Sequence, residues 1–133
     1  MYEYSCEVKR VVDGDTIDCV LDLGFSIFHK CRVRLYAIDT PESRTRNRDE
    51  KARGLLAKQF LIDSIKDKKV VLKSKLRDSR GKFGRVLAEV WVNGINVNED
   101  MVKKGHAVRY HGQSKEDIEM EHMENRQLLI DKG

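Results

Sequence analysis

Apolar and polar positions alternate early in the chain. "YSCEVKRVVD" (residues 4–13) reads as a strand, and "DTIDCVLDLG" (15–24) places Ile17, Cys19 and Leu21 two residues apart. "FHKCRVRLYAID" (28–39) sets Val33, Leu35 and Ala37 on one side in the same way. A period of two is that of a strand with one face buried. The period then changes. In "RDEKARGLLAKQFLIDSI" (48–65), Ala52, Leu55, Leu56, Phe60 and Leu61 or Ile62 recur at helical spacing. "KKVVLKSKL" (68–76) and "GRVLAEVWVN" (84–93) return to strand character. "NVNEDMVKKG" (96–105) is a short helix with an Asn start and Gly105 at its end. "SKEDIEMEHMENRQLLID" (114–131) is a last helix, with Ser114 as N-cap and acids in the first turn.

Three strands, a helix, two strands and two helices predict an α+β, mainly β chain. Five short strands interrupted by a helix after the third suggest a closed five-stranded barrel of OB type with three helices. No repeat, low-complexity tract or Pro/Gly/Ser-rich linker divides the sequence, so residues 1–133 read as one domain.

The "DGD" at 13–15 is first of all a hairpin turn, since Gly accepts the positive φ such turns require. A turn accounts for Asp13 and Gly14 but not for Asp15 and Asp39 together. Asp15 shares parity with Ile17, Cys19 and Leu21, and Asp39 with Val33, Leu35 and Ala37. If the second and third strands pair antiparallel, both carboxylates converge at one mouth of the barrel. Two like charges there are costly to desolvate, and a hard divalent cation with its preference for oxygen ligands resolves the conflict. "DTPE" (39–42) adds Glu42, with Pro41 keeping the backbone extended. Arg34 precedes Asp39 by five residues, and Arg85 follows the glycine of "KFGR". Carboxylates for a cation, guanidinium forks for phosphate oxygens and a carboxylate for water together suit a phosphodiester.

Composition adjusts this picture modestly. The 133 residues are 40% hydrophobic and 36% charged, polar for a globular chain but not a disordered composition. The net charge of +4 is uneven: residues 113–133 carry −3 and the rest +7, compatible with a polyanionic partner. Arg44, Arg46 and Arg48 in "SRTRNR" are candidates for tracking a nucleic-acid backbone. Cys6, Cys19 and Cys31 match no zinc spacing and read as small apolar strand residues kept reduced. The four histidines show no ligand spacing and read as surface or packing residues. No apolar run approaches a membrane span, and "MYEYSCEVKR" has no signal-peptide stretch, so a cytoplasmic location is expected if this is the natural start.

Taken together, "VVDGDTI" (11–17), "RLYAIDTPE" (34–42), "KFGRVLAEV" (82–90) and "VNEDMVKKGHAVRY" (97–110) resemble the staphylococcal nuclease-like (thermonuclease) family over roughly residues 5–130. The resemblance implies an OB-fold barrel and a calcium-dependent phosphodiesterase acting on DNA and RNA. It implies attack that breaks the bond to the 5′ oxygen and leaves a 3′-phosphate. By motif position, Asp15 and Asp39 would be side-chain ligands of Ca²⁺, with Mg²⁺ an alternative ion, and Thr40 would add its carbonyl. Asp13 would lie just beyond the ion. Glu42 would be the general base or water orienter, and Arg34 and Arg85 the phosphate-binding pair. Lys82, Phe83 and Tyr110 would contact substrate, Phe83 standing where the best-known member has a tyrosine. The expected assembly is a monomer. The competing reading is a catalytically silent nucleic-acid-binding OB module; such degenerate copies usually lose carboxylates or arginines, and here Asp15, Asp39, Glu42, Arg34 and Arg85 all remain.

Overall fold

The computed structural model describes residues 2–74 and 86–132. The expected site residues Lys82, Phe83 and Arg85 lie outside the described residues. Strand β1 (Glu3–Asp13) turns at Gly14–Asp15 into β2 (Thr16–Asp22), which pairs antiparallel with β3 (Phe28–Leu35). Strand β5 (Val70–Ser74) adds to the other edge of β1, and β6 (Val86–Val92) adds antiparallel to β5. Parallel pairing of β6 with β3, Val33 opposite Val86 and Leu35 opposite Ala88, closes the sheet into a mixed five-stranded barrel. Closure removes free edges, which open sheets must otherwise protect. Irregular register in β1 around Lys9 and Val12 bends that strand, as bulges do where barrels turn corners.

The remaining elements sit on this barrel. They are β4 (Ile38–Asp39), α1 (Arg48–Ile65), β7 (Ile95–Asn96), α2 (Val97–Lys103), β8 (Val108–Arg109) and α3 (Lys115–Lys132). Short β4 pairs with β8, so the chain after β3 is tied to the chain after α2. Asn96 caps α2 by accepting from the Glu99 amide, and Gly105 ends it at φ 82°. Ser114 caps α3 by accepting from the Asp117 amide, as its sequence predicts.

Ile17, Val33, Leu35, Leu72, Ala88 and Val90 fill the barrel and are essentially inaccessible. Each large side chain among them stabilises the fold by about 1.5–3 kcal/mol relative to exposure. Cys19 is buried with them, opposite Cys31 across β2 and β3, and all three cysteines are free thiols. The Cys31 thiol acts to lower the Cys19 pKa, but contact with the Cys6 thiol and burial together outweigh it and push it up to about 12. Among the described residues no helix is long and apolar enough to cross a membrane.

Two local expectations change. Helix α1 buries Gly54, Ala57, Leu61 and Ile65, whereas Leu55 and Leu56 are about half exposed. Helical spacing allowed two stripes, and the one with the smaller residues faces the barrel because the backbone around Glu42 lies against it. Gly14 is not at positive φ. A Cβ there would stand 2.8 Å from Ala57 Cβ and 3.1 Å from Thr40, so close approach of α1 requires the glycine.

Candidate active site

The β1–β2 turn places Asp15 at one end of the barrel. Register fixes it there: Thr16 lies opposite Arg34, and the Asp15 carbonyl accepts from the Leu35 amide at 2.8 Å. The Asp15 side chain is buried. Its Oδ1 accepts from the Thr16 hydroxyl at 3.0 Å, and its Oδ2 from the Thr40 amide at 3.2 Å. Burial pushes its carboxyl above the usual carboxylate range; the Arg34 guanidinium opposes this and Asp39 adds to it.

Asp39 arrives by another route than strand parity implies. Strand β3 ends at Leu35, and Ala37 is exposed at φ 64°, so alternation breaks there. The turn resets the phase, and Ile38 of β4 points into the core instead. Buried Asn98 braces this turn: its amide donates to the Tyr36 carbonyl at 3.0 Å and its oxygen accepts from the Val90 amide at 3.0 Å. The two aspartates still converge, because one guanidinium spans them. Arg34 Nη1 lies 3.0 Å from Asp15 Oδ2, and Nη2 lies 3.4 Å from Asp39 Oδ1. The Nη1 contact is an ion pair whose hydrogen is aimed off line, so that buried donor remains without a hydrogen-bond partner.

Glu42 stands on the exposed side of the same cleft. Partial burial raises its pKa first, then the charges of Asp13, Asp15, Asp39 and Glu50. Its backbone is set by α1: a Cβ at Gly54 would fall 2.4 Å from the Glu42 carbonyl oxygen. Asp13, Asp15, Arg34, Asp39, Glu42 and Arg44 line a cleft of about 780 Å³. A second depression of about 740 Å³ shares Arg34 and Asp39 and carries half-exposed Tyr110. The Tyr110 amide donates to the Ala37 carbonyl at 2.7 Å, holding that residue beside the site. Arg46 and Arg48 are exposed but do not line the cleft, and Arg48 is the first residue of α1 rather than part of the loop.

Sequence reading passed over one residue. His122 on α3 places Nε2 2.8 Å from Asp39 Oδ2. The two positions are 83 residues apart, so no local spacing reports the contact. The available signal was helical: Ile118, His122, Asn125 and Leu129 form the less exposed stripe of α3.

The donors fit a hard divalent cation. Asp15 and Asp39 present carboxylate oxygens close enough for one guanidinium to touch both. Among the described residues no three His, Cys, Asp or Glu side chains form a cage. Two carboxylates with carbonyl, water and substrate oxygens completing the shell are an established arrangement for such ions.

A barrel closed by parallel β3–β6 pairing, with acids and an arginine gathered at one mouth, defines an OB-type domain with a site suited to phosphate chemistry. The model of the staphylococcal nuclease homologue family matches residues 32–127, and the chain belongs to that family. It is 35% identical over 123 residues to an uncharacterised endonuclease of Haemophilus influenzae, covering 92% of this chain and 62% of that protein. It is 36% identical over 98 residues to a thermonuclease of Staphylococcus intermedius, covering 74% and 55%. Endonuclease YncB of Bacillus subtilis is 34% identical over 98 residues, covering 74% and 44%. The chain thus spans less than two thirds of the length of these relatives.

Proposed function

We propose that the chain is a calcium-dependent nuclease that hydrolyses phosphodiester bonds of DNA and RNA and leaves 3′-phosphates. The observation that carries this reading is the Arg34 bridge across Asp15 and Asp39 beside Glu42. Asp15 and Asp39 would hold the cation, with the Thr40 carbonyl as a third donor and Asp13 nearby. Ca²⁺ is the ion expected from the family resemblance, and Mg²⁺ suits the same oxygen donors. When bound, the cation supplies positive charge beside the phosphate oxygens and so lowers the cost of charge gathering there.

The chain's own groups do the rest. Glu42 is exposed to water in the cleft and holds its proton more tightly than an ordinary carboxylate, which suits a group that orients and deprotonates the attacking water. Arg34 gives up its aspartate contacts to the scissile phosphate, where its flat fork holds two oxygens at once. Arg85 would complete the pair, with Lys82, Phe83 and Tyr110 on the flanking nucleotide. Arg44 extends positive charge along the cleft wall, and exposed Arg46 and Arg48 would add to it outside the cleft.

The test incubates plasmid, single-stranded DNA and RNA with the protein in Ca²⁺, Mg²⁺ or chelator. Product ends are then read by their sensitivity to a 3′-phosphatase. Cleavage in Ca²⁺, abolished by chelator and leaving 3′-phosphates, is expected. Binding without cleavage under every condition would replace this reading with the silent OB module.

A further inference from the structure

Helix α3 is held to the barrel in an unusual way. His122 is its only buried residue among those described, while Met120, Met123 and Ile130 are more than half exposed. Polar ties run along its length: Asn125 donates to the Ala107 carbonyl at 3.0 Å, and Arg126 to Asp49 at 2.9 Å. One more runs from His122 to the functional site, with the His122 side chain 11% exposed and Asp39 29% exposed. A histidine at the centre of a docking stripe adds little apolar area, and buried polar groups are retained where they find a partner. Here the partner is a carboxylate on a strand of two residues, whose only other side-chain contact among the described residues is the 3.4 Å one from Arg34.

We propose that His122 is a positioning residue for cation binding: it occupies Oδ2 of Asp39 and leaves Oδ1, the oxygen facing Arg34, as the one offered to the ion. This rests on the reading of Asp15 and Asp39 as cation ligands. The geometry divides Asp39 cleanly, with Oδ1 toward Arg34 and Oδ2 toward His122. A ring that carries its proton on Nε2 donates to Oδ2 whether or not Nδ1 is also protonated. Fixing one oxygen limits the carboxylate's rotation and removes the ordering cost from the binding step. Hydrogen-bond partners behind metal ligands typically contribute 10- to 100-fold to affinity.

The experiment titrates Ca²⁺ alone into the protein by calorimetry, without nucleic acid. His122→Leu keeps bulk and loses the donor, and His122→Gln restores a donor at nearly the same reach. Asn125→Ala loosens α3 without touching Asp39, and thermal unfolding reports the stability of every variant. The expected result is a 10- to 100-fold weaker affinity in His122→Leu, recovery of most of it in His122→Gln, and near-wild-type affinity in Asn125→Ala. Wild-type affinity in His122→Leu, with binding lost in Asp39→Asn, would overturn the proposal and leave the site reading intact. Equal losses in His122→Leu and Asn125→Ala, without rescue by Gln, would also overturn it, since His122 would then only dock the helix. Unchanged affinity in Asp39→Asn would remove the site reading itself, and the proposal with it.

Discussion

The barrel interior and the mouth beneath α3 are held by different forces. Inside, Ile17, Val33, Leu72 and Val90 exclude water completely, and the stabilising term is apolar area, indifferent to protons and ions. At the mouth, ion pairs and hydrogen bonds link Asp15 through Arg34 and Asp39 to His122, and Asn125 and Arg126 add further polar ties from α3. The interior can therefore hold strand ends rigidly while the mouth responds to charge. A site for a cation and a polyanion needs that division: the scaffold should not move when the ligands arrive, and the ligating groups should prefer the occupied state.

The largest expected effect separates chemistry from stability. Arg34→Lys keeps the charge but loses the fork. A point-like ammonium cannot hold two phosphate oxygens as charge grows in the transition state. By analogy with the loss of one oxyanion donor, kcat should fall by on the order of 10²–10³, or roughly 3–4 kcal/mol. Arg85→Lys should behave alike, and KM should change far less than kcat in both. Steady-state kinetics at saturating Ca²⁺ decide this, and a near-wild-type kcat would reduce the arginine to an attractor of substrate.

Gly54→Ala tests how the rigid part sets the responsive part. Alanine should favour helix α1 by about 1 kcal/mol, yet its Cβ would meet the Glu42 backbone. Backbone cannot swing aside as a side-chain tip can, so a net loss of about 1–3 kcal/mol is expected. Displacing Glu42 should also lower kcat, by up to about 10²-fold for a shift of an ångström. Denaturant unfolding and kinetics on one preparation would show both effects; a more stable and fully active variant would mean the segment relaxes freely.

A smaller effect lies in pH dependence. The folded pKa of Asp15 is raised, mainly by burial. Between its ordinary and folded values the native state holds a proton that the unfolded chain has released. Stability from this group is therefore present at low pH and lost as pH rises through that window. The slope should appear in chelator and disappear in Asp15→Asn, while saturating Ca²⁺ should reduce it. Urea unfolding across the acid range, with and without the ion, measures it. Equal slopes in wild type and Asp15→Asn would show that Asp15 is not the source.

Much of this mouth was legible in the sequence because its parts are local. Asp15 follows from strand alternation, and "DTPE" sits one turn beyond Arg34, so the acids and the arginine could be placed together before any coordinates. The path to Asp39 was misread, since nothing in "LYAID" announces that Ala37 leaves the strand at positive φ. The buried face of α1 was only partly legible. Helical spacing took in Leu61, which is buried, together with Leu55 and Leu56, which are not, while closeness to the Glu42 backbone selected Gly54 and Ala57. His122 was invisible for a third reason: its partner is fixed by docking of one helix, which periodicity places on a face but not against a residue.

The smallest expected effect concerns charges that attract without fixing. Arg44, Arg46 and Arg48 are exposed, and among the described residues none of them has an ion pair. Arg48 opens α1, where the positive end of the helix dipole makes a cation slightly unfavourable. Folding therefore gives little reason for these charges, whereas a phosphate backbone passing the cleft does. Such contacts act by releasing counterions, with a salt slope of about 0.7–0.9 per phosphate neutralised. Replacing all three with Gln should raise KM at moderate salt and reduce the dependence of log KM on log salt by roughly two to three such contacts. The charges bind ground and transition states alike, so kcat should barely change. Stability should hold or rise by a few tenths of a kcal/mol as the cation leaves the helix start, about the size of a surface dipole effect. Kinetics on a defined oligonucleotide over a salt series read the slope directly. A slope equal to wild type would make the three arginines a solvated face, leaving Arg44 as no more than a wall of the cleft.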